Sequence, residues 1–568
     1  MLAPAVFVAA VLQLYVVCVV CLHVAAAAAA SPETKQFLWL SDLHLDPLYG
    51  TVDAVGSCVQ PSDAPALGRQ GCDAPRALVQ EAIQQAAADG VAEYFVILTG
   101  DLCRHGTDRL SHPMETTKSI LRNVSQMLRN SLDVSILPSI GNNDVTPDYY
   151  LNVQNPTETL SMVTQGLELL LESDQERETF LQGGYLIRNV SSSLTVISLN
   201  TVLYSTNHIP LDDGRDDDND PLGQFKWLEN QLNLACGSWD RDVYIVGHIP
   251  PVMGSYQHSQ LWQTTYLAQY YSILQRTYPC VKGQLFGHLH ADEFRWIAPS
   301  SAVLDSIARN GSNNLRFPLW LASSVTPIYG SNPSYRWVSY QADTNAILDY
   351  DTHYLDLLNP SVNDDPHWKK GPSFRESFQI PDLNYNGMQE LVQGLNRSIL
   401  ETNSTLWQAL LDRQHIYVSG DEELACRGVS CRRAWMCTLT TVTSEEYAMC
   451  LQAAGGNPLQ VIWYRWSLRK RIKIGAMLAL STIFVLCLVL CRCCPRYIRR
   501  RHYQQSMPLE TEDDGILLEH GHQQNAPEPK HRPAASLTTA PTSSSSSSSL
   551  ETSYQEEDGA MSALPAIA

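Results

Sequence analysis

Five short elements of this 568-residue chain carry residues that could do chemistry, and they come in one order: Asp42-Leu43-His44-Leu45-Asp46, Gly100-Asp101, Gly141-Asn142-Asn143-Asp144, Gly247-His248 and Gly287-His288-Leu289-His290. Each alone is weak, since a single histidine after a strand is more often a hydrogen-bonded structural residue than a ligand. Together they follow apolar, strand-like runs and all present metal-ligand chemistry. Asp42 and His44, two apart at a strand end, are expected to aim the same way, because alternate residues share a face. They offer one carboxylate and one imidazole to a first metal. Asp101 can bridge two metals with its two oxygens, and a neutral Asn142 oxygen and two more imidazoles, from among His248, His288 and His290, complete a second site. Imidazole plus carboxylate suits zinc, iron or manganese rather than calcium. Two divalent ions roughly 3.5–4 Å apart can clamp both oxygens of an in-line displacement at phosphorus and activate a bound water. Such a site needs no serine or cysteine nucleophile, and no G-x-S-x-G, H-E-x-x-H or G-x-x-x-x-G-K pattern competes with it.

The elements that must position these residues are short and apolar. FLWLSD, YFVILTGD, SILPSIGNND, LTVISLN, VYIVGH and GQLFGH have the length and β-branched or aromatic content of buried strands. PRALVQEAIQQAAADG, between the first two, predicts a helix with Pro75 in its first turn and Gly90 just past its end. Strand, helix, strand with short links predicts an α/β domain, in which reactive groups collect at the strands' carboxyl ends. Residues 31–382 are read as the catalytic domain. The pattern turns helical from Tyr385 to Leu411 and a cysteine cluster follows, so 383–460 is read as a small helical, disulfide-stapled subdomain. DDGRDDDND at 212–220 lacks the spacing of an EF-hand and reads as a solvated surface loop.

The net charge of −20 offers no basic face to a phosphate backbone, so no binding of nucleic-acid duplexes is expected. A small phosphate ester is a different matter, because bound cations would reverse the local field. The N-terminal apolar run ending in small residues reads as a signal peptide over 1–30, although no Lys or Arg precedes it and an uncleaved anchor stays open. Ile474 to Cys491 is apolar and just long enough to span a bilayer, behind a juxtamembrane stretch, 461–473, containing Trp463, Tyr464 and Trp466. All N-x-S/T sequons (Asn123, Asn189, Asn310, Asn396, Asn403) precede it. The expectation is a single-pass type I protein with a lumenal or extracellular catalytic domain, in the endosome, lysosome or vacuole or at the cell surface, and a disordered cytosolic tail, 492–568. Cys491, Cys493 and Cys494 are palmitoylation candidates. Asp513 to Leu518 resembles an acidic dileucine sorting signal, a string short enough to arise by chance. Nine cysteines remain between leader and span, an odd number, with four of them crowded into 426–450.

The order D-x-H, GD, GN-x-[DE], GH, GH-x-H resembles the calcineurin-like metallophosphoesterases. SDLHLDPLY, GDLCRH, PLGQFKWLENQL, GHIPP, GHLHADEF and NPSYRWVSYQADTNAILDYDTHYLDL resemble more closely their acid sphingomyelinase and acid sphingomyelinase-like phosphodiesterase group, over about residues 37–450. The resemblance implies a two-sheet β-sandwich flanked by helices and a dinuclear centre, usually of zinc. Asp42, His44, Asp101 and His290 would hold one ion, and Asp101, Asn142, His248 and His288 the other. It also implies disulfides Cys58–Cys72, Cys236–Cys280, Cys426–Cys431 and Cys437–Cys450, with Cys103 left free.

Two departures bear on function. Asn143 stands where the family has a histidine that helps stabilise the phosphoryl oxygens and assists the leaving group; an amide can donate a hydrogen bond but supplies no proton. His105, four residues after Asp101, matches a second histidine of the sphingomyelinase group and becomes the candidate general acid, with an exposed loop histidine as the plain alternative. The GNND and GD-x-x-RH loops resemble vacuolar endopolyphosphatases of the same fold. Acid sphingomyelinase also has a lipid-extracting saposin domain ahead of its catalytic domain, for which no room is expected between the leader and SDLHLD. The expected activity is metal-dependent phosphodiester hydrolysis, in which a metal-activated hydroxide attacks phosphorus and His105 protonates the leaving alkoxide. The substrate would be a phospholipid head group, a nucleotide or another soluble phosphodiester. Two alternatives stay open: an endopolyphosphatase cutting inorganic polyphosphate, and a metal-binding, receptor-like protein with little activity.

Overall fold

The computed structural model describes residues 33–455 apart from 55–63, 91–92, 211–218, 279, 300–314, 360, 419–425 and 427. The leader, most of the acidic loop, Asn310, Cys58, the apolar run Ile474 to Cys491 and the tail lie outside the described residues. Among the described residues no helix is long and apolar enough to cross a membrane.

Each of the six apolar runs forms a strand: β1 (Thr34–Leu40), β2 (Val96–Leu98), β3 (Ile136–Pro138), β5 (Leu194–Ser198), β6 (Asp242–Val246) and β7 (Val281–Phe286). Six more strands join them: β4 (Leu186–Asn189), β8 (Glu293–Ile297), β9 (Phe317–Leu321), β10 (Ser334–Gln341), β11 (Ile347–Leu355) and β12 (Trp368–Lys370). They make two six-stranded mixed sheets, in the orders β12-β11-β10-β1-β2-β3 and β4-β5-β6-β7-β9-β8. In the first, β1, β2 and β3 run parallel while β10, β11 and β12 add antiparallel neighbours. In the second, β5, β6, β7 and β9 run parallel between antiparallel edges. The parallel strands are buried on both faces, which is why their sequences read as continuous apolar runs.

The sheets face one another through aromatic rings. Tyr244 of β6 meets Phe37 of β1 at 5.7 Å and Tyr340 of β10 at 6.3 Å between centroids. The Tyr244 hydroxyl donates to the carbonyl of Asn345 (2.8 Å), so a tyrosine can sit in this core with its polar end satisfied. A two-sheet sandwich with flanking helices is therefore present, as expected. The helix Arg76–Ala88 forms where expected, but Pro75 stands one place earlier, at the N-cap in extended conformation, rather than in the first turn. Of the acidic loop, Asp220 is described; its carboxylate accepts from the N–H of Phe225 and Lys226, at the entrance to the helix Gln224–Asn233.

Of the C-terminal helices, Tyr385–Arg397, Thr405–Gln414 and Val429–Thr440 pack on β8, and Ser444–Ala453 packs on Val429–Thr440. Phe294 of β8 lies 6.1 Å from the ring of Trp435, which in turn meets Trp407 at 5.9 Å. The first three of these helices thus share the core of the sheets, while Tyr447, Ala448 and Leu451 of the last join a smaller cluster with Met253, Ala434 and Cys437. Disulfides join Cys236 to Cys280, Cys426 to Cys431 and Cys437 to Cys450, while Cys103 is free and buried. Cys72 is also disulfide-bonded.

Candidate metal centre

The loops after β1, β2, β3, β6 and β7 meet at the carboxyl ends of the parallel strands and bring all seven expected ligands together. Asp42 and His44 follow β1, Asp101 follows β2, Asn142 follows β3, His248 follows β6, and His288 and His290 follow β7. Strand alternation is not what gathers Asp42 and His44, as had been expected. Both have left the strand, and both hold left-handed backbone, at φ 49° and 40°. Asp101, His288 and His290 do the same, at φ 54°, 75° and 54°. Such conformations cost on the order of 1–3 kcal/mol each in residues with a Cβ, and they collect at functional sites.

Ligand atoms of Asp42, His44 and Asp101 lie within 4.8 Å of one another, as do those of Asp101, His248 and His288, so each group could hold a metal ion. Asp101 belongs to both: its Oδ2 is 3.4 Å from His44 Nε2 and 3.2 Å from His248 Nε2. His290 Nε2 is 3.3 Å from Asp42 Oδ1, and Asn142 Oδ1 is 3.1 Å from His248 Nε2. The far nitrogens of two imidazoles are spoken for. His44 Nδ1 donates to the Cys103 carbonyl (2.8 Å) and His248 Nδ1 to the Thr99 carbonyl (2.7 Å). With Nδ1 so engaged, Nε2 is the nitrogen each ring would offer a cation, the usual way a second partner fixes a ligating tautomer. His44 Nε2 and His290 Nδ1 are buried with no hydrogen-bond partner among the described residues. Imidazole nitrogens, carboxylates and an amide oxygen converging at one place suit a cation, so the donor set fits a metal.

These loops belong to a recognised pattern. Residues 35–292 match the calcineurin-like phosphoesterase family, and residues 313–456 match the acid sphingomyelin phosphodiesterase C-terminal region. The chain thus carries a calcineurin-like phosphoesterase region followed by an acid sphingomyelin phosphodiesterase C-terminal region. By family it is a hydrolase of phosphoric esters. It is similar to a sphingomyelinase phosphodiesterase D of Dictyostelium discoideum, at 28% identity over 359 residues, 63% of this chain and 78% of that one. A cyclic GMP-AMP phosphodiesterase of Mus musculus is 28% identical over 450 residues, 75% of this chain and 94% of that one. The sphingomyelin phosphodiesterase of Homo sapiens is 27% identical over 460 residues, 76% of this chain and 68% of that one.

The charged groups of this phosphoesterase region act on one another. Burial alone would lower the imidazoles of His44 and His248, but the carboxylates of Asp42 and Asp101 overcome it and hold both at about 9. Burial would raise Asp101, yet His248 and His44 hold it well below the usual carboxylate range, and Asp42 falls to about 2 beside His290 and His44. His288 and His290 go the other way, to about 4 and 3, mainly through burial. The cluster thus seeks positive charge next to its carboxylates.

Around the ligands stand Asn143 and His105, both singled out in the sequence, and Asp144, Asp73 and Tyr329, whose roles only the structure gives. Asp144 accepts from the backbone N–H of Gly141, Asp101, Leu102 and Cys103, stitching the GD loop to the GN loop. Asn143 donates to both oxygens of Asp101, from its backbone (2.8 Å) and from its amide (2.9 Å). His105 is more than a loop histidine. Its ring stacks on His44 at 4.1 Å, its Nδ1 lies 3.0 Å from Asp73, and its Nε2 lies 3.3 Å from the Tyr329 hydroxyl. His44, His105 and His290 form a third group of ligand atoms within 4.8 Å. Asp73 and Tyr329 sit in no motif, and only the fold reveals them.

Gly141 shows how tightly the loops close. A Cβ there would stand 2.1 Å from Asp101 Oδ1 and 2.2 Å from its backbone nitrogen. Gly141→Ala is therefore expected to displace Asp101 and lower bound metal and activity together. A variant with normal metal content and turnover would show that the loop yields without disturbing the site.

Proposed function

We propose that this protein is a two-metal phosphodiesterase of the acid sphingomyelinase-like type. The observation that carries the reading is the Asp101 carboxylate, shared between two groups of ligand atoms, with His44 Nε2 at 3.4 Å and His248 Nε2 at 3.2 Å. Asp42, His44, Asp101 and His290 would hold one divalent ion, and Asp101, Asn142, His248 and His288 the other; zinc is the family's usual metal. Bound there, two ions would neutralise the phosphoryl oxygens and lower the pKa of the attacking water.

The chain's own residues do the rest. Asn143, engaged with Asp101 and lacking a titratable proton, cannot protonate a leaving group. That task falls to His105, which Asp73 anchors at Nδ1 so that Nε2 points away toward Tyr329. His105→Ala is expected to lower kcat about 10²–10⁴-fold on a diester with an alkoxide leaving group. A p-nitrophenyl diester, whose leaving group departs without a proton, should lose far less. Equal losses on both would mean that His105 only supports His44 by stacking.

The relatives' names include sphingomyelin and cyclic GMP-AMP phosphodiesterases, which share a phosphodiester and little else. A phospholipid head group or a nucleotide diester is the substrate class we infer. The replacement of a proton-bearing histidine by Asn143 favours one competitor, an endopolyphosphatase, because a phosphoanhydride leaving group needs no proton. The deciding experiment gives purified protein of measured metal content sphingomyelin, a cyclic dinucleotide, bis-p-nitrophenyl phosphate and long-chain polyphosphate at acidic pH. Diester cleavage supports the reading, and polyphosphate shortening with diesters untouched replaces it. Turnover of none, with metal bound, leaves the receptor-like alternative.

A lumenal or extracellular, type I placement is part of the proposal. Of the sequon asparagines described, Asn189, Asn396 and Asn403 are exposed and Asn123 is half-buried, so none is closed to a glycan. Enzymatic deglycosylation that leaves the mobility of the cell-expressed protein unchanged would argue against that placement.

A further inference from the structure

The structure assigns Asp148 a role beyond those residues: it is a positioning residue that fixes the Asn142 amide with its oxygen toward the second metal. The inference rests on the two-metal reading above. Asn142 has two faces, an acceptor oxygen that a cation can use and an NH2 group that it cannot. Asn142 Nδ2 donates to Asp148 Oδ1 at 2.8 Å, and this leaves Oδ1 3.1 Å from His248 Nε2.

The same carboxylate, when ionised, opposes the other orientation. Turning the amide over would set Oδ1 against Asp148, an acceptor against an acceptor, while aiming N–H groups at the place where the ion would sit. The chosen orientation has its own cost. Asp101 Oδ2 at 3.2 Å, His288 Nδ1 at 3.2 Å and Asn142 Oδ1 all crowd the Nε2 of His248, whose Nδ1–H is committed to Thr99. Those acceptors repel one another unless positive charge lies between them. Asp148 holds Asn142 with its oxygen in an arrangement that suits a bound cation, which is preorganisation of a ligand by its second partner.

The segment around Asp148 is built to hold it there. Tyr149, at φ 63°, donates its backbone N–H to the Asn142 carbonyl at 3.0 Å, so the loop folds back on the residue it orients. The Tyr149 ring stands perpendicular to His288, with centroids 6.2 Å apart. The loop thus reaches two of the second ion's candidate ligands, Asn142 and His288.

The test is a zinc titration of the metal-stripped full chain against a competing chelator, for wild type, Asp148→Leu and Asp148→Asn. Circular dichroism checks the fold. Wild type should take up two equivalents. Asp148→Leu should keep one and bind the other about 10–100-fold more weakly, with turnover returning at excess zinc. Asp148→Asn, which keeps one acceptor oxygen for Nδ2, should recover most of the lost affinity. Two-site binding by Asp148→Leu equal to wild type overturns the assignment, as does loss of both ions together in a folded variant. A wild type that takes only one equivalent sinks the two-metal reading itself. Should Asp148→Leu fail to fold, Asp148→Ser, which leaves Nδ2 to water, decides the matter by the same titration.

Discussion

Asp101→Asn is expected to abolish phosphodiester hydrolysis, by about 10³-fold or more in kcat/KM, the scale seen when a preorganised electrostatic group is removed. Both oxygens of this carboxylate are engaged, Oδ1 by the Asn143 backbone and Oδ2 by the Asn143 amide, with His44 and His248 alongside Oδ2. An amide in its place sets a donor against donors whichever way it turns. It also removes the negative charge that holds the two imidazoles up, so an ion between them loses its counter-charge. Metal analysis should therefore show less than the wild-type content, and thermal unfolding in chelator should show the apo fold retained. A variant with full metal content and activity within about tenfold of wild type would mean that Asp101 is not the shared ligand.

Much of this site was legible before any coordinates, and for a physical reason. Strands buried on both faces must be continuously apolar, so each polar residue at their carboxyl ends stands out, and β1, β2, β3, β6 and β7 announce their own loops. The logic fails where burial is achieved by pairing instead of by apolarity. β8, EFRWI, carries two charges that are buried because Glu293 and Arg295 meet at 2.7 Å, and β9 carries Pro318, so neither reads as a strand. The convergence of Asp42 and His44 was foreseen, but the reason was not: left-handed backbone, invisible in residue spacing, turns them together. Asp73, Asp148 and Tyr329 were out of reach altogether. Asp73 meets His105 across 32 residues and Tyr329 meets it across 224, and no periodicity within a segment encodes such contacts.

The largest effect on stability should come from a residue that binds no metal. Asp292→Ala is expected to destabilise the fold by at least about 3–5 kcal/mol, the cost of breaking a buried ion pair from one side. Two guanidiniums depend on this one carboxylate: Arg336 of β10 at 2.6 Å and Arg413 of the helix Thr405–Gln414 at 2.8 Å. The hydroxyls of Tyr350 and Thr352 donate to it as well, at 2.8 and 3.0 Å. All three charged side chains are about 1% exposed, so water cannot replace the missing partner. Arg336 lies over the rings of Trp39 and Tyr350, at 5.2 and 4.5 Å, but such contacts contribute only about 0.5–2 kcal/mol. They do not offset two unpaired buried cations. Because Asp292 is two residues beyond His290, the same change should loosen the β7 loop and lower metal affinity in whatever fraction still folds. Denaturant unfolding with disulfides intact measures the loss, and the variant Asp292→Leu/Arg336→Met/Arg413→Met separates its causes. If uncompensated charge is the cause, replacing all three groups with apolar ones should restore most of the stability. If the triple variant is as unstable as Asp292→Ala, the network is instead needed for its hydrogen bonds, as the polar joint between the C-terminal helices and the sheet that carries Asp42.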